Sequence, residues 1–124
     1  MRIGFVQFDC RFGETEANLA RAERLLAGER ADLVVLPELF HSGYLFTSKE
    51  EVDAAAIPVP DSLVCPALTA MATKAGGHVV AGVAERADGL VYNSAVVVGP
   101  HGVVGTYRKV HLFAEEKRWF APGD

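Results

Sequence analysis

The stretch that decides the fold spans residues 32–38 and reads Asp-Leu-Val-Val-Leu-Pro-Glu. Its continuous apolar run is typical of a strand that is buried on both faces, as in a parallel sheet. Pro37 ends this strand, and Glu38 follows at its carboxyl end. Because ligands bind at such strand ends in open α/β sheets, Glu38 is the first candidate for chemistry. The alternative is a carboxylate that is simply solvated in a loop.

A strand and a helix precede this stretch. Residues 3–8 form a short apolar run, Ile-Gly-Phe-Val-Gln-Phe, that predicts a central strand. A helix is expected to be capped by Thr15 and to end near Gly28. Together with the strand over 33–36, these elements predict a right-handed βαβ unit.

The rest of the chain predicts two further helices and an antiparallel meander. A short helix is expected over 48–56, and Pro66 suits the first position of a longer one that Gly76 ends. Three strands then follow, the first two joined by a tight turn at Asp88-Gly89. Their expected ranges are 79–85, 91–98 and 103–109. The chain, taken as one unit over 1–124, is therefore α/β, with a mixed sheet and helices on at least one face.

The composition limits the classes of function. Half of the 124 residues are apolar and 23% are charged, which is typical of a folded domain. A formal net charge of −4 without a run of Lys or Arg argues against nucleic acid or an anionic membrane as a partner. The sequence contains neither a transmembrane pattern nor a signal-peptide pattern. Its two cysteines form no CxxC and no disulfide framework, which predicts a cytoplasmic location.

Lysine, cysteine and histidine are other side-chain types in this sequence that could carry chemistry. Lys109 lies at a strand end, where a fixed ammonium can stabilise an oxyanion, although a lysine that protects a sheet edge is the alternative. Cys10 and Cys65 are expected to be small buried residues without a neighbouring base. The histidines show no metal-ligand spacing and no glycine-rich phosphate loop occurs, so neither a metal nor a cofactor is expected.

Four short segments follow one another in a fixed order along the chain. They are Leu-Pro-Glu-Leu-Phe over 36–40, Tyr-Asn-Ser-Ala over 92–95, Tyr-Arg-Lys-Val-His-Leu-Phe over 107–113 and Phe-Ala-Pro-Gly-Asp over 120–124. As an ordered set they resemble the nitrilase (carbon–nitrogen hydrolase) superfamily, and the resemblance runs from Ile3 to Asp124. It implies an αββα sandwich, which agrees with the mixed α/β order predicted above.

The resemblance also implies a Glu-Lys-Cys catalytic triad. Glu38 matches the general base, and Lys109 matches the cation that stabilises the transition state. A second, structural glutamate follows the lysine segment in this family; Glu116 matches it best, and Glu115 is the alternative. Tyr44, in the loop after Glu38, is either a pocket residue or a packing tyrosine.

The cysteine of the triad is not found in this stretch. The family nucleophile lies after the Pro-Gly-Asp segment, and neither Cys10 nor Cys65 matches its motif. Residues 1–124 are therefore expected to be the N-terminal half of the domain, inactive alone and with exposed apolar surface. The parent protein is expected to be a thiol hydrolase that acts on a small-molecule amide or nitrile and forms a homodimer or a higher homo-oligomer.

Two alternatives stay open at this point. The chain could belong to a non-catalytic binding or assembly module that keeps Glu38 and Lys109 without the chemistry. Within the same superfamily, it could instead belong to a glutaminase, an N-carbamoyl amino acid hydrolase or an acyltransferase.

Overall fold

The computed structural model describes all 124 residues and contains a five-stranded sheet. Its strands, in the order in which they lie side by side, are β1 (Ile3–Phe5), β2 (Leu33–Val35), β3 (His78–Ala87), β4 (Leu90–Gly99) and β5 (Gly102–Arg108). β1, β2 and β3 pair in parallel, whereas β3, β4 and β5 pair antiparallel. The predicted mixed sheet is therefore confirmed.

Four helices accompany the sheet: α1 (Thr15–Leu26), α2 (Lys49–Ala55), α3 (Val64–Ala75) and α4 (Glu116–Trp119). α3 packs against β3, β4 and β5, and α1 packs against α3, so these two helices form a layer on one side of the sheet. The main core lies between the layers and includes the fully buried Leu68, Val79 and Val96. None of the helices is long and apolar enough to cross a membrane.

A second apolar cluster lies where α2 and α4 meet the β3–β4 hairpin. It joins Leu39, Val52 and Phe120 to Ala84 of β3 and Val91 of β4. Ala84 follows Val83 of the main core, and successive side chains of a strand point to opposite faces. The second cluster therefore packs on the face of the sheet that α1 and α3 leave uncovered.

The predicted short helix over 48–56, the turn at Asp88-Gly89 and the helix end at Gly76 are confirmed. The Oγ of Ser48 accepts a hydrogen bond from Glu51 N (3.2 Å), and the Glu51 carboxylate accepts one from Ser48 N (3.3 Å), which forms a capping box at the start of α2. Asp88 and Gly89 have φ values of 52° and 77°, as a two-residue hairpin turn of this kind requires. Gly76, with a φ of 79°, ends α3.

Three details of the prediction were wrong. β1 lies at an edge of the sheet and pairs only with β2, so an apolar run did not indicate a central position, and Phe5 is 76% exposed. Thr15 is the first residue of α1 rather than its cap, and no side chain caps that helix. α3 begins at Val64, two residues before Pro66, because its first turn needs no N–H from the proline.

Candidate functional site

Glu38 is held by a turn that crosses β3 directly over Gly82. Gly82 N donates to the carbonyl of Pro37 (3.2 Å), and Phe40 N donates to the carbonyl of Gly82 (3.1 Å). A Cβ on Gly82 would lie 2.6 Å from the Cα of Glu38 and 2.7 Å from the N of Leu39, so a side chain here would collide with backbone. Leu39 adopts a left-handed φ of 48° and is fully buried, which fixes the turn.

Lys109 follows β5 directly, and its backbone is hydrogen-bonded on two sides. Its N–H donates to the carbonyl of Asn93 on β4 (2.8 Å), and its own carbonyl accepts from Gly123 N (2.9 Å). The Nζ lies 3.0 Å from Oε1 of Glu38 and 3.0 Å from Oε1 of Glu116. The structure therefore brings together the three residues that the sequence singled out for chemistry.

Glu116, the first residue of α4, is buried below the lysine. Its Oε2 accepts from the backbone N–H of Phe113 (2.6 Å), and its Oε1 accepts from the hydroxyl of Tyr44 (2.9 Å) and from Lys109. Its side chain is only 3% exposed, whereas the side chain of the neighbouring Glu115 is 66% exposed. Of the two candidate glutamates, Glu116 is thus the one that contacts Lys109.

Asn93 joins the two carboxylates, and sequence reasoning did not single it out. Its Nδ2 donates to Oε1 of Glu38 (2.7 Å) and to Oε1 of Glu116 (3.1 Å), and the residue is buried. Asparagine is depleted in strands, so its place inside the apolar run of β4 was an available signal. A glycine at position 82 within β3 was a second signal of the same kind. We refer to Glu38, Tyr44, Asn93, Lys109 and Glu116 as the front cluster.

The two carboxylates of the front cluster differ in their free hydrogen-bonding capacity. Both oxygens of Glu116 accept hydrogen bonds. In Glu38, Oε1 accepts from Asn93 and from Lys109, whereas Oε2 accepts none and the side chain is 46% exposed. Glu38 therefore has one oxygen available to accept a proton, and Glu116 has none.

The charges of the cluster support each other. Burial opposes the charge on Lys109, but the hydrogen bonds to Glu116 and Glu38 outweigh it and raise the pKa of the ammonium. Burial likewise opposes the charge on Glu116, but the N–H of Phe113 and the contacts with Lys109 and Tyr44 lower the pKa of this carboxyl. Lys109 and Glu116 consequently form a fixed ion pair at neutral pH.

A cavity of about 470 Å³ opens beside the front cluster. It is lined by Val35, Leu36, Glu38, Val80, Gly82, Asn93, Ser94, Ala95, Tyr107, Lys109 and His111. Aliphatic residues of the strands alternate there with the polar groups of the cluster. A volume of this size is in the range of small-molecule sites, which are mostly apolar with a few convergent polar groups.

A second polar cluster lies on the opposite face of the same strands. Arg108 donates to Glu85 through two parallel bonds, Nε to Oε2 (3.0 Å) and Nη2 to Oε1 (2.7 Å), and Ser94 Oγ donates to Oε2 (2.6 Å). The guanidinium also lies 4.2 Å from the ring centroid of Tyr92. Burial raises the pKa of Glu85, but the bonds from Arg108 and Ser94 outweigh it, so the net pKa is lowered. We call these four residues the rear cluster; no sequence pattern predicted it.

Neither cysteine belongs to the front cluster. Cys65 is buried in the first turn of α3 and Cys10 is half-buried, and burial is the largest cause that raises the thiol pKa of each. His41 is fully buried, accepts a hydrogen bond from Ala84 N (3.2 Å) and has its pKa lowered to about 4 by burial. No group of three or more His, Cys, Asp or Glu side chains is arranged to hold a metal ion.

Comparison with known proteins gives this geometry a family context. Residues 2–124 match the family model described as carbon-nitrogen hydrolase. Aligned over its whole length, the chain is 43% identical to a nitrilase from Pyrococcus abyssi and covers 48% of that protein. It is 36% identical to an (R)-stereoselective amidase from a Pseudomonas species and covers 45% of that protein. The chain thus spans about half the length of these relatives.

The solved structures agree with the sequence relatives. A CN-hydrolase superfamily protein from Xanthomonas campestris, solved with an arsenic adduct in its active site, superposes with a TM-score of 0.86 and is 30% identical. The superposition covers 99% of this chain and 46% of that protein. The fold described above is therefore the one found in that superfamily.

Proposed function

Since the chain belongs to the carbon–nitrogen hydrolase family, we propose that its protein hydrolyses the carbon–nitrogen bond of a small-molecule amide or nitrile. The observation that carries this proposal is the half-exposed Glu38, whose free oxygen lies beside a fixed ammonium at a cavity. The names of the relatives, a nitrilase and an amidase, support the same class of substrate. An ion pair with a free carboxylate oxygen suits proton transfer next to a developing negative charge.

The proposed roles follow from the differences between the side chains. Glu38 is the general base, because its Oε2 is free to accept a proton. Lys109 offsets the negative charge of the tetrahedral intermediate, because hydrogen bonds to two carboxylates keep it charged. Glu116 is a positioning residue for Lys109, because both of its oxygens are already hydrogen-bonded. Tyr44 supports Glu116 from the side of the loop.

For an amide, the proposed steps balance as follows. Glu38 takes the proton of a cysteine thiol, and the thiolate adds to the carbonyl carbon. The intermediate collapses as the C–N bond breaks, and Glu38 returns the proton to the departing ammonia or amine. Glu38 then takes a proton from a water molecule that attacks the thioester. The second intermediate collapses as the C–S bond breaks, and Glu38 returns its proton to the departing thiolate, which releases the acid product and restores the free thiol.

The nucleophile of this proposal lies outside residues 1–124. Burial raises the pKa of both cysteines within the chain, and neither has a hydrogen bond to a member of the front cluster. A cysteine nucleophile needs the opposite, a thiol pKa lowered by a nearby cation. We propose that the 124-residue chain alone is inactive and that the whole protein is a homodimer or a higher homo-oligomer.

The test is an assay of the full-length protein against a panel of short amides and nitriles. We expect hydrolysis together with a thioester adduct that intact-mass spectrometry detects. Glu38→Gln should prevent formation of the adduct, because no other free carboxylate oxygen faces the cavity. Glu115→Gln is the matched control and should leave the rate unchanged, since Glu115 is exposed. A folded protein that forms no adduct and releases no ammonia or amine would favour the non-catalytic binding module instead.

A further inference from the structure

The front and rear clusters meet at two pairs of consecutive residues. On β4, Asn93 belongs to the front cluster and Ser94 to the rear one. At the end of β5, Arg108 reaches the rear face and Lys109 the front face. Successive side chains of a strand point to opposite faces, so the two clusters share one stretch of backbone. A shift of the backbone at Arg108 would therefore be passed on to Lys109.

β5 is paired along one side only, with β4. It is an edge strand, and the residues over 104–107 that precede Arg108 are exposed. Its carboxyl end, by contrast, is held by the two bonds from Arg108 to the buried Glu85 and by close backbone contacts to Gly123. A Cβ on Gly123 would collide with the carbonyl of Arg108. The end of β5 with these additional contacts is thus the one that directly precedes Lys109.

We propose that Glu85 and Arg108 are positioning residues for Lys109. Their bidentate pair holds the end of β5 so that the lysine Nζ stays between Glu38 and Glu116, 3.0 Å from an oxygen of each. Arginine suits this task, because its planar fork fixes direction as well as distance. The consequence for turnover rests on the proposed function; the consequence for the geometry of Lys109 does not.

The experiment follows the pKa of Lys109 in the full-length protein by NMR of ¹³Cε-labelled lysine. The signal is assigned with the variant Lys109→Arg. The decisive variant is Arg108→Gln, because two explanations predict opposite signs. Loss of a nearby positive charge alone would raise the pKa of Lys109, whereas loss of its position between two carboxylates lowers that pKa toward its ordinary value. We expect the pKa to fall.

Two further variants keep the test decisive. Arg108→Gln leaves the Glu85 carboxylate buried without its cation, which could unfold the protein. The double variant Glu85→Gln/Arg108→Gln removes both charges and is therefore measured as well. It should fold, and the pKa of Lys109 should be lowered in it too. Val79→Ala is the control for general destabilisation, since it removes core packing on β3 at a position that pairs with Val98, away from both clusters. It should lower the melting temperature and leave the pKa of Lys109 unchanged.

Kinetics provide a separate readout. Where the full-length protein turns over an amide, both rear-cluster variants should lower kcat by roughly tenfold to a hundredfold with little change in KM, because a misplaced charge affects the transition state more than binding. An unchanged or raised pKa of Lys109 in folded variants would overturn the inference. A wild-type protein without turnover, but with the expected pKa changes, would contradict the proposed function and leave the positioning role standing.

Discussion

The front and rear clusters use the same kinds of groups on opposite faces of one sheet, but they differ in how completely those groups are satisfied. In the rear cluster both oxygens of Glu85 are bonded to Arg108, and the side chain is 6% exposed. In the front cluster Glu38 keeps one free oxygen and is 46% exposed. The comparison indicates that the rear cluster holds structure and the front cluster is open to a ligand.

The two clusters also differ in their cation, which is an arginine in the rear cluster and a lysine in the front cluster. Arg108 provides a rigid fork that matches one carboxylate, whereas Lys109 provides a compact charge that two carboxylates share. A lysine in the rear cluster would lose the second parallel bond. An arginine in the front cluster would fill space beside the cavity. Consecutive residues of similar charge therefore have different tasks, and strand alternation separates them.

The largest expected effect comes from Gly82→Ala, which breaks the front cluster alone. The new Cβ would collide with the backbone of Glu38 and Leu39, so the turn must move away from β3. We expect a loss of about 1–3 kcal/mol in the free energy of unfolding, measured with urea, and displaced NMR signals of Lys109.

Gly105→Ala is the matched control for this change. Gly105 lies on β5, and a Cβ there would have no neighbour within 4 Å. It should unfold at the same urea concentration as the parent chain or a higher one. Equal stability of Gly82→Ala and Gly105→Ala would show that the turn at Glu38 accommodates the new Cβ without loss of stability. The expected collision with backbone would then be wrong.

The neighbouring residues Asn93 and Ser94 permit a sharper test. Asn93→Ala removes the amide that donates to both front carboxylates and leaves Lys109 as their shared donor, and we expect it to cost about 1–3 kcal/mol. Ser94→Ala removes one donor to Glu85, which keeps both bonds to Arg108, and should cost about 1 kcal/mol. Urea unfolding gives both values.

Each of these variants should also change the NMR signal of the cation on its own face of the sheet. The Nε–H signal of Arg108 should shift in Ser94→Ala and stay in Asn93→Ala, whereas the signals of Lys109 should respond mainly to Asn93→Ala. Ser94→Ala keeps the Glu85–Arg108 pair that is proposed to position Lys109. Equal responses of both signals to both variants would therefore mean that the sheet transmits any local change, and not only the loss of that pair.

Most of the fold and part of the front cluster could be predicted from the sequence. The apolar run over 33–36 and the turn signal at Asp88-Gly89 predicted the parallel and antiparallel parts of the sheet, because these features are local. Glu38 and Lys109 were found because they follow strand ends. The edge position of β1 was missed, since an apolar run indicates burial but not the number of neighbouring strands.

The parts that could not be predicted depend on contacts between distant residues. The rear cluster joins Glu85 to Arg108 across three strands; Arg108 lies in the segment over 107–113, but no local pattern pairs it with Glu85. Gly82 matters because the turn at Glu38 passes directly over it, which only the assembled sheet reveals. Asn93 stands out as an asparagine inside a strand, but its role as a bridge between two carboxylates needs their positions.

A smaller effect, visible in acid, comes from the two buried carboxylates. The pKa of Glu85 and that of Glu116 are lowered in the folded state, so each ionised group adds stability above the ordinary glutamate pKa of 4.5. This stability is lost as the pH falls through the lowered values. Urea unfolding between pH 6 and pH 3 should therefore show less acid dependence in Glu85→Gln and in Glu116→Gln than in the parent chain.

The exposed Glu115 provides the control for this pH series. Its side chain pairs only with Arg118 at the surface, and exposed pairs contribute little. Glu115→Gln should reproduce the acid dependence of the parent chain. The same slope in all four proteins would mean that neither buried carboxylate is linked to folding.

The smallest effect is expected from substitution of the cysteines. This experiment tests whether the thiol of either cysteine lies within the front cluster. A thiol beside Lys109 would have a lowered pKa and would react quickly with iodoacetamide at neutral pH. Burial instead raises the pKa of both Cys10 and Cys65, so alkylation at pH 7 should be slower than that of a free thiol. Cys10→Ala and Cys65→Ala should leave the pKa of Lys109 unchanged. Fast alkylation of either cysteine, accompanied by a shift in the Lys109 signal, would place a thiol within the front cluster and remove the reason for seeking the nucleophile elsewhere.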